Sequence, residues 1–366
     1  MPINFKPIYR ITPSIAKYLM RIEAVKEKVT LLPVNPTVLA SLRESAKLYT
    51  THYSTMIEGN QLNPQEVKDV LKLEGHFPGR ERDEREVKGY YAALAQLEQY
   101  VAQNQPVTEK VIQTLHALVM SDGRSRVKPT SYREGQNVIK DSSTGMIVYM
   151  PPEAKDVPKF MRQLVSWIKE NTELPCPLLA GIAHYQFATI HPYYDGNGRT
   201  SRLLTTLILH LGGYDLKGLY SLEEYYAKNL LAYYRAISIG PSHNYYLGRA
   251  ESDITDWLEY FTEGMAFAFE KVVAQMLARN EKGQKDYSQL MRSLDSKQRK
   301  ALELFKQYEI VTGSQIGNLF GFQPRTRTTL CKKWVEGGFL EITDPSNKAR
   351  KYKLSAPYDA LAKENS

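Results

Sequence analysis

Twelve residues, His191 to Arg202 (HPYYDGNGRTSR), constrain this chain more than any other stretch, because they join two apolar helices through a loop too polar and too glycine-rich to be mere connection. Before the loop, Leu179, Ile182, Phe187 and Ile190 recur at helical spacing. Pro192 lacks an N–H and clashes with a preceding turn, so that helix should end near His191. After it, Leu203, Leu204, Leu207, Ile208 and Leu211 predict a second buried helix, stopped by Gly212 and Gly213. The Asp195–Arg199 segment therefore feeds a helix N-terminus. Unpaired backbone N–H groups and the positive end of the helix dipole suit such a place to phosphate. Arg199 and Arg202 stand three apart, on one face, and can grip phosphate oxygens. Asp195 offers the hard oxygen that Mg²⁺ favours, and His191 offers a base of near-neutral pKa.

At these residues the chain resembles the Fic family, whose signature is His-Pro-Phe-x-Asp/Glu-Gly-Asn-Gly-Arg-x-x-Arg. The match is complete apart from Tyr193, which keeps the aromatic ring. The resemblance implies an enzyme that moves AMP from ATP to a Ser, Thr or Tyr hydroxyl of a target protein, or of itself. It also implies roles: His191 deprotonating the hydroxyl, Asp195 holding Mg²⁺, and Gly196, Asn197, Gly198 and Thr200 lining the phosphates. Arg199 and Arg202 would take the β- and γ-phosphates. Positioning and charge neutralisation dominate phosphoryl-type transfer, which agrees with such a set.

Ser54-Thr55-Met56-Ile57-Glu58-Gly59-Asn60 is similar to that family's inhibitory motif, with Ser54, Glu58 and Gly59 at its defining positions. A carboxylate at a helix C-terminus faces the negative dipole end and should seek a cation elsewhere. The resemblance supplies Arg202 as that cation, so Glu58 would restrain the enzyme, or position water for removing AMP. Val138, Ile139 and Lys140 begin a hairpin through Met150 that corresponds to the family's target-holding flap, though Lys140-Asp141 replaces a glycine pair found in some relatives. An edge strand can hold a peptide without reading its sequence.

Elsewhere the chain reads as mainly α: a Fic-type helical bundle with a β-hairpin flap, plus a small C-terminal winged helix-turn-helix domain. One clear helix is expected before residue 60, opened by Pro36 and ended by Gly59. One helix is expected over Leu222–Ile237, carrying Tyr225, Tyr226, Tyr233 and Tyr234; Tyr233 and Asn229 are the candidates there for the adenine pocket. His184 lacks neighbouring ligands and reads as packed rather than metal-binding. The expected divisions are 1–104 (inhibitory motif), 105–280 (catalytic core) and 290–360 (winged helix), with a polar linker near 280–295.

Of a net charge of +8, roughly +6 falls after residue 280, where Arg325, Arg327, Lys332 and Lys333 mark a third helix. DNA is thus a candidate partner of that domain, and protein docking is the alternative. Only two cysteines occur, Cys176 and Cys331: the number rules out a cysteine metal site, and their separation disfavours a disulfide. No apolar stretch approaches a membrane span or a secretory leader, so a cytoplasmic protein with no membrane partner is expected. A homodimer through the N-terminal face is a further expectation. Rival functions are transfer of another phosphate-containing group, including kinase action, and a DNA-binding regulator that uses the pocket as a nucleotide sensor.

Overall fold

The structure is a computed structural model and describes residues 5–32, 36–72, 75–124, 126–140, 144–240, 243–281, 293–344, 346 and 350–364. It is mainly helical and divides into two compact units, Met1–Glu281 and Lys282–Ser366. The expected turn residue Asp141 and most of the expected linker lie outside the described residues.

The first unit is built around two helices, α7 (Cys176–Ile190) and α8 (Asn197–Leu211), which pack along each other. All of α7 except Cys176 and Ala188 is buried, so it has no polar face and must be enclosed by other helices. α11 (Thr255–Glu281) closes one side, where the Trp257 indole donates to the Gly181 carbonyl at 2.8 Å. α5 (Glu109–Val119) and α6 (Val157–Glu170) cover other faces. α2 (Pro36–Ile57), α3 (Pro64–Lys72) and α4 (Glu81–Ala102) pack together, and α4 meets α8 directly. The expected 1–104 region and 105–280 core thus lie in one unit.

Two expectations are corrected. The N-terminal section holds two helices, because α1 (Pro13–Leu31) precedes α2 and packs on α11 through Ile15, Ile22 and Val29. These contacts repeat every seven residues, a narrow stripe that the charged residues between them obscure. The single helix expected over Leu222–Ile237 is broken at Asn229 (φ −140°, ψ 71°) into α9 (Leu222–Lys228) and α10 (Leu230–Ile237). Its carboxamide oxygen accepts from the Ala232 N–H and caps α10, which competes with continuing the helix.

The hairpin is shorter than its sequence suggests. β1 (Ile139–Lys140) pairs antiparallel with β2 (Ile147–Tyr149), while Tyr132–Val138 is irregular. Met146, Ile147 and Val148 are exposed.

The second unit has helices α12 (Ser296–Gln307), α13 (Gly313–Phe320) and α14 (Pro324–Glu336), followed by α15 (Ala356–Glu364). Capping boxes at Asp295/Gln298 and Thr312/Gln315 set the starts of α12 and α13. β3 (Val311–Thr312), β4 (Leu340–Asp344) and β5 (Lys351–Leu354) form an antiparallel sheet in the order β3-β5-β4. Trp334, Phe339, Ile316 and Leu302 belong to its separate core.

Candidate active site

The loop between α7 and α8 is held by its own residues. His191 ends α7 in the left-handed conformation (φ 51°, ψ 61°), which turns the chain sharply out of the helix. Asn197 reaches back to Tyr193: its Oδ1 accepts from the Tyr193 N–H at 3.0 Å and its Nδ2 donates to the Tyr193 carbonyl at 2.8 Å. Its carboxamide is therefore engaged in holding the loop. Thr200 is fully buried, and its hydroxyl has no hydrogen-bond partner. Gly196 has φ +74°, and a Cβ there would stand 2.8 Å from the Met120 sulfur and 3.2 Å from the His116 ring, so any other residue would be strained. Gly196 is the N-cap of α8 and supplies no side-chain cap. The amides at that terminus remain suited to an anion.

Three residues that the sequence did not single out support this loop. His116 donates from Nε2 to the Asp195 carbonyl (2.9 Å) and stacks on Tyr193 at 3.5 Å. Arg133, buried, donates from Nε to the His191 carbonyl at 3.0 Å, and to the Gly135 and Pro152 carbonyls beside the hairpin. Glu86, on α4, faces Arg199. A lone histidine, arginine or glutamate in a helix or loop carries no spacing signal, so none was visible before folding brought it here.

The carboxylate of Glu58 sits over the start of α8. It lies 2.9 Å from Arg202 Nη2, and a Cβ on Gly198 would meet its Oε1 at 2.2 Å. Ser54, on the same helix α2, accepts from Arg202 Nε at 2.8 Å through Oγ and from Nη2 at 2.8 Å through its carbonyl. Gly59 (φ +94°) permits the turn that ends α2 here. Arg202 is 1% exposed, whereas the Glu58 side chain is 30% exposed. Arg199 is 2% exposed and faces Asp195 (3.3 Å) and Glu86 (3.7 Å). Arg199 Nε and Arg202 Nη1 are buried without a hydrogen-bond partner. Buried guanidinium N–H groups left open are costly and are satisfied by acceptor oxygens, which fits phosphate.

The Asp195 side chain is 59% exposed, and its Oδ1 accepts from the Gly196 N–H and Arg199. Among the described residues no group of three or more His, Cys, Asp or Glu could hold a metal. One accessible carboxylate fits Mg²⁺ only in the manner usual for that ion, with phosphates and waters completing the shell.

Burial pushes the His191 imidazole down to about 4, and the positive charge of Arg133 adds to this, so His191 is neutral near pH 7 and able to accept a proton. His184 is packed, as expected, between Thr205 Oγ1 (2.9 Å) and the Tyr233 hydroxyl (3.1 Å). Tyr233 is accordingly buried in an aromatic cluster with Tyr226 and Trp257, its hydroxyl beside Arg202, while the Asn229 carboxamide caps α10. Tyr234 is the more exposed ring and donates to the Ile57 carbonyl at 3.1 Å, next to Glu58. A groove of about 570 Å³ between α2, α9 and α11, lined by Tyr49, Tyr53, Glu224 and Lys271, is a separate feature.

Buried neutral histidines make stability depend on pH. Burial lowers His116 to about 4 and His184 to about 3, each with help from a nearby arginine. Between those values and the unfolded value near 6.5, the unfolded chain binds more protons, so stability is full above about pH 6.5 and falls as pH drops. Together the two should cost on the order of 3 kcal/mol between pH 7 and pH 5. Denaturant melts across that range check this; a stability that does not change would contradict neutral burial of both rings.

Comparison with known proteins bears on the same segment. The sequence model described as the Fic/DOC family matches residues 106–209. "Protein adenylyltransferase Fic" of Drosophila ananassae is 30% identical over 200 residues, 53% of this chain and 39% of that protein. Its namesake in Nematostella vectensis is 26% identical, over 54% of this chain and 45% of that protein. The match thus spans less than half the length of these relatives. Among solved structures, a Fic family protein from Desulfovibrio desulfuricans G20 shares the fold across 96% of this chain and 99% of its own, with a TM-score of 0.66 and 24% identity. A Fic domain containing signaling protein from Bacteroides thetaiotaomicron matches over 72% of this chain with a TM-score of 0.59 and 22% identity. No helix among the described residues is long and apolar enough to cross a membrane. The loop that carries His191 to Arg202 therefore lies inside the segment that matches the Fic/DOC family, and the chain is similar to Fic family proteins there.

Proposed function

We propose that the chain transfers AMP from ATP to a hydroxyl of a target protein and that Glu58 restrains it. The observation that carries this reading is an acidic side chain lying where an anion belongs: the Glu58 carboxylate rests on Gly198 at the N-terminus of α8 and pairs with Arg202. A cradle that already attracts a carboxylate has the charge and the N–H groups to take a polyphosphate tail, and the two cannot share it. In the transfer, the neutral His191 imidazole accepts the proton of the incoming hydroxyl. The hydroxyl oxygen bonds to the α-phosphorus, and the bond from that phosphorus to the bridging oxygen breaks, releasing pyrophosphate. Arg199, Arg202 and the first amides of α8 hold the tail that leaves. Mg²⁺, when bound with the nucleotide, neutralises phosphate charge, and Asp195 is the residue that would hold it. The exposed hairpin residues Ile147 and Val148 offer a target segment an edge to pair with.

Separate incubations of Glu58→Gly protein with α-labelled and γ-labelled ATP test the reaction. Protein-bound label from the α position alone supports AMP transfer, while label from γ points to a kinase and no label removes the enzyme reading.

One observation favours a further reading for the second unit. Arg325, Lys332 and Lys333 are exposed on α14, the third of three helices preceding the β4–β5 hairpin, as in a winged helix that enters a major groove. Arg325→Ala with Lys333→Ala should then lower affinity for duplex DNA about tenfold and flatten its salt dependence. Equal binding by the unaltered chain and the double variant would leave protein docking instead.

A further inference from the structure

We propose that Glu86 is a second acidic restraint on the cradle, acting on Arg199 as Glu58 acts on Arg202. This rests on the reading of both arginines as phosphate ligands. Arg199 is almost wholly buried, and its acidic neighbours are Asp195 on its own loop and Glu86 on α4. Glu86 stands at 3.7 Å, close enough to hold the guanidinium by charge but too far for a good hydrogen bond. Arg199 Nε is meanwhile left without an acceptor. The arrangement neutralises the arginine and leaves its Nε open, which is the state of a group awaiting other oxygens.

The Glu86 carboxylate has somewhere else to go. Its Oε1 also accepts from Arg82 Nε at 3.0 Å, one turn earlier on α4, and the Arg82 side chain is largely exposed. A phosphate on Arg199 would thus leave Glu86 paired with Arg82 rather than stranded, which keeps the release inexpensive.

The two acids are joined through one turn. Asn60, two residues after Glu58 and buried, donates from Nδ2 to Glu86 Oε2 at 3.1 Å and to the Asp83 carbonyl at 3.0 Å. The backbone N–H groups of Glu58, Gly59 and Asn60 all bond back to the last turn of α2. The same short turn therefore delivers Glu58 to Arg202 and Asn60 to the partner of Arg199. Displacing it loosens both arginines together.

A glutamate that merely orients Arg199 for phosphate would behave in the opposite sense, so the sign of one measurement decides. Calorimetric titrations of the full chain compare Glu58→Gly with Glu58→Gly/Glu86→Gln, using inorganic tripolyphosphate and AMP as probes. The double variant should bind tripolyphosphate about tenfold more tightly, with AMP affinity unchanged. Unchanged or weaker tripolyphosphate binding, or an equal gain for AMP, overturns the proposal. If Glu86→Gln does not fold, Glu86→Asp makes the same comparison: it keeps a charge for Arg82 but shortens the reach to Arg199, and should give a smaller gain of the same sign. Tight tripolyphosphate binding without α-label transfer from ATP would count against the AMP-transfer reading and leave the restraint standing.

Discussion

His191→Ala is expected to abolish nearly all AMP transfer, with a fall of roughly 10²–10⁴-fold in the rate of α-label incorporation, the range for losing a positioned general base. The test belongs in the Glu58→Gly background, where the starting rate is highest. The size of the effect follows from how completely the fold prepares this one ring. α7 stops at His191 in a left-handed turn, Arg133 fixes its carbonyl, and burial holds the imidazole neutral. Because burial places its pKa at about 4, the unliganded base stays unprotonated well below pH 6, and the acid side of a pH–rate profile should fall at lower pH than that of an exposed histidine. ATP affinity should survive the substitution, since the arginines and α8 amides do the holding. An alanine variant that transfers AMP at the parent rate would remove His191 from the chemistry.

Glu58→Gly is expected to raise ATP affinity and transfer by about 10–100-fold. A charge-assisted hydrogen bond to a buried arginine is worth roughly 1.5–3 kcal/mol, and a competitor of that strength lowers apparent affinity by the matching factor. Stability should move the other way. Removing Glu58 strips Arg202 of its carboxylate partner and leaves Ser54 as its support. Because Glu58 is about a third exposed, solvent softens the loss, and a cost of about 1–2 kcal/mol is expected in place of the larger figure for a fully buried pair. ATP with magnesium should restore the lost stability by binding the folded state. Thermal melts with and without ATP read both effects; a variant neither less stable alone nor stabilised by ATP would sink the restraint.

Much of this site was legible in the sequence because its signals are local. The α7–loop–α8 pattern depends on apolar spacing, Pro192 and the glycines, all within about 35 residues, and the structure reproduces it. The end of α2 at Gly59 and the three helices before β4 were legible for the same reason: helix caps and glycine stops act over a few residues. α1 was not, since its buried stripe of Ile15, Ile22 and Val29 is one residue wide and gains meaning only against α11. The break at Asn229 was hidden because four tyrosines at plausible helical spacing outweighed a single capping side chain. That the Asn197 carboxamide is spent on Tyr193 was not legible, because a place in a motif does not say where a side chain points.

By itself the amino-acid order determined where helices begin and end and which short loop holds an acid, a base and two arginines together, since those properties arise from backbone sterics and from neighbours within a turn or two. Only the tertiary structure decided which distant groups meet that loop. Arg133 comes from 58 residues before His191, Glu58 from 144 before Arg202, and Glu86 from a separate helix. Charges buried this deeply must find partners wherever packing brings them, and packing is set by the whole core rather than by any segment of the chain.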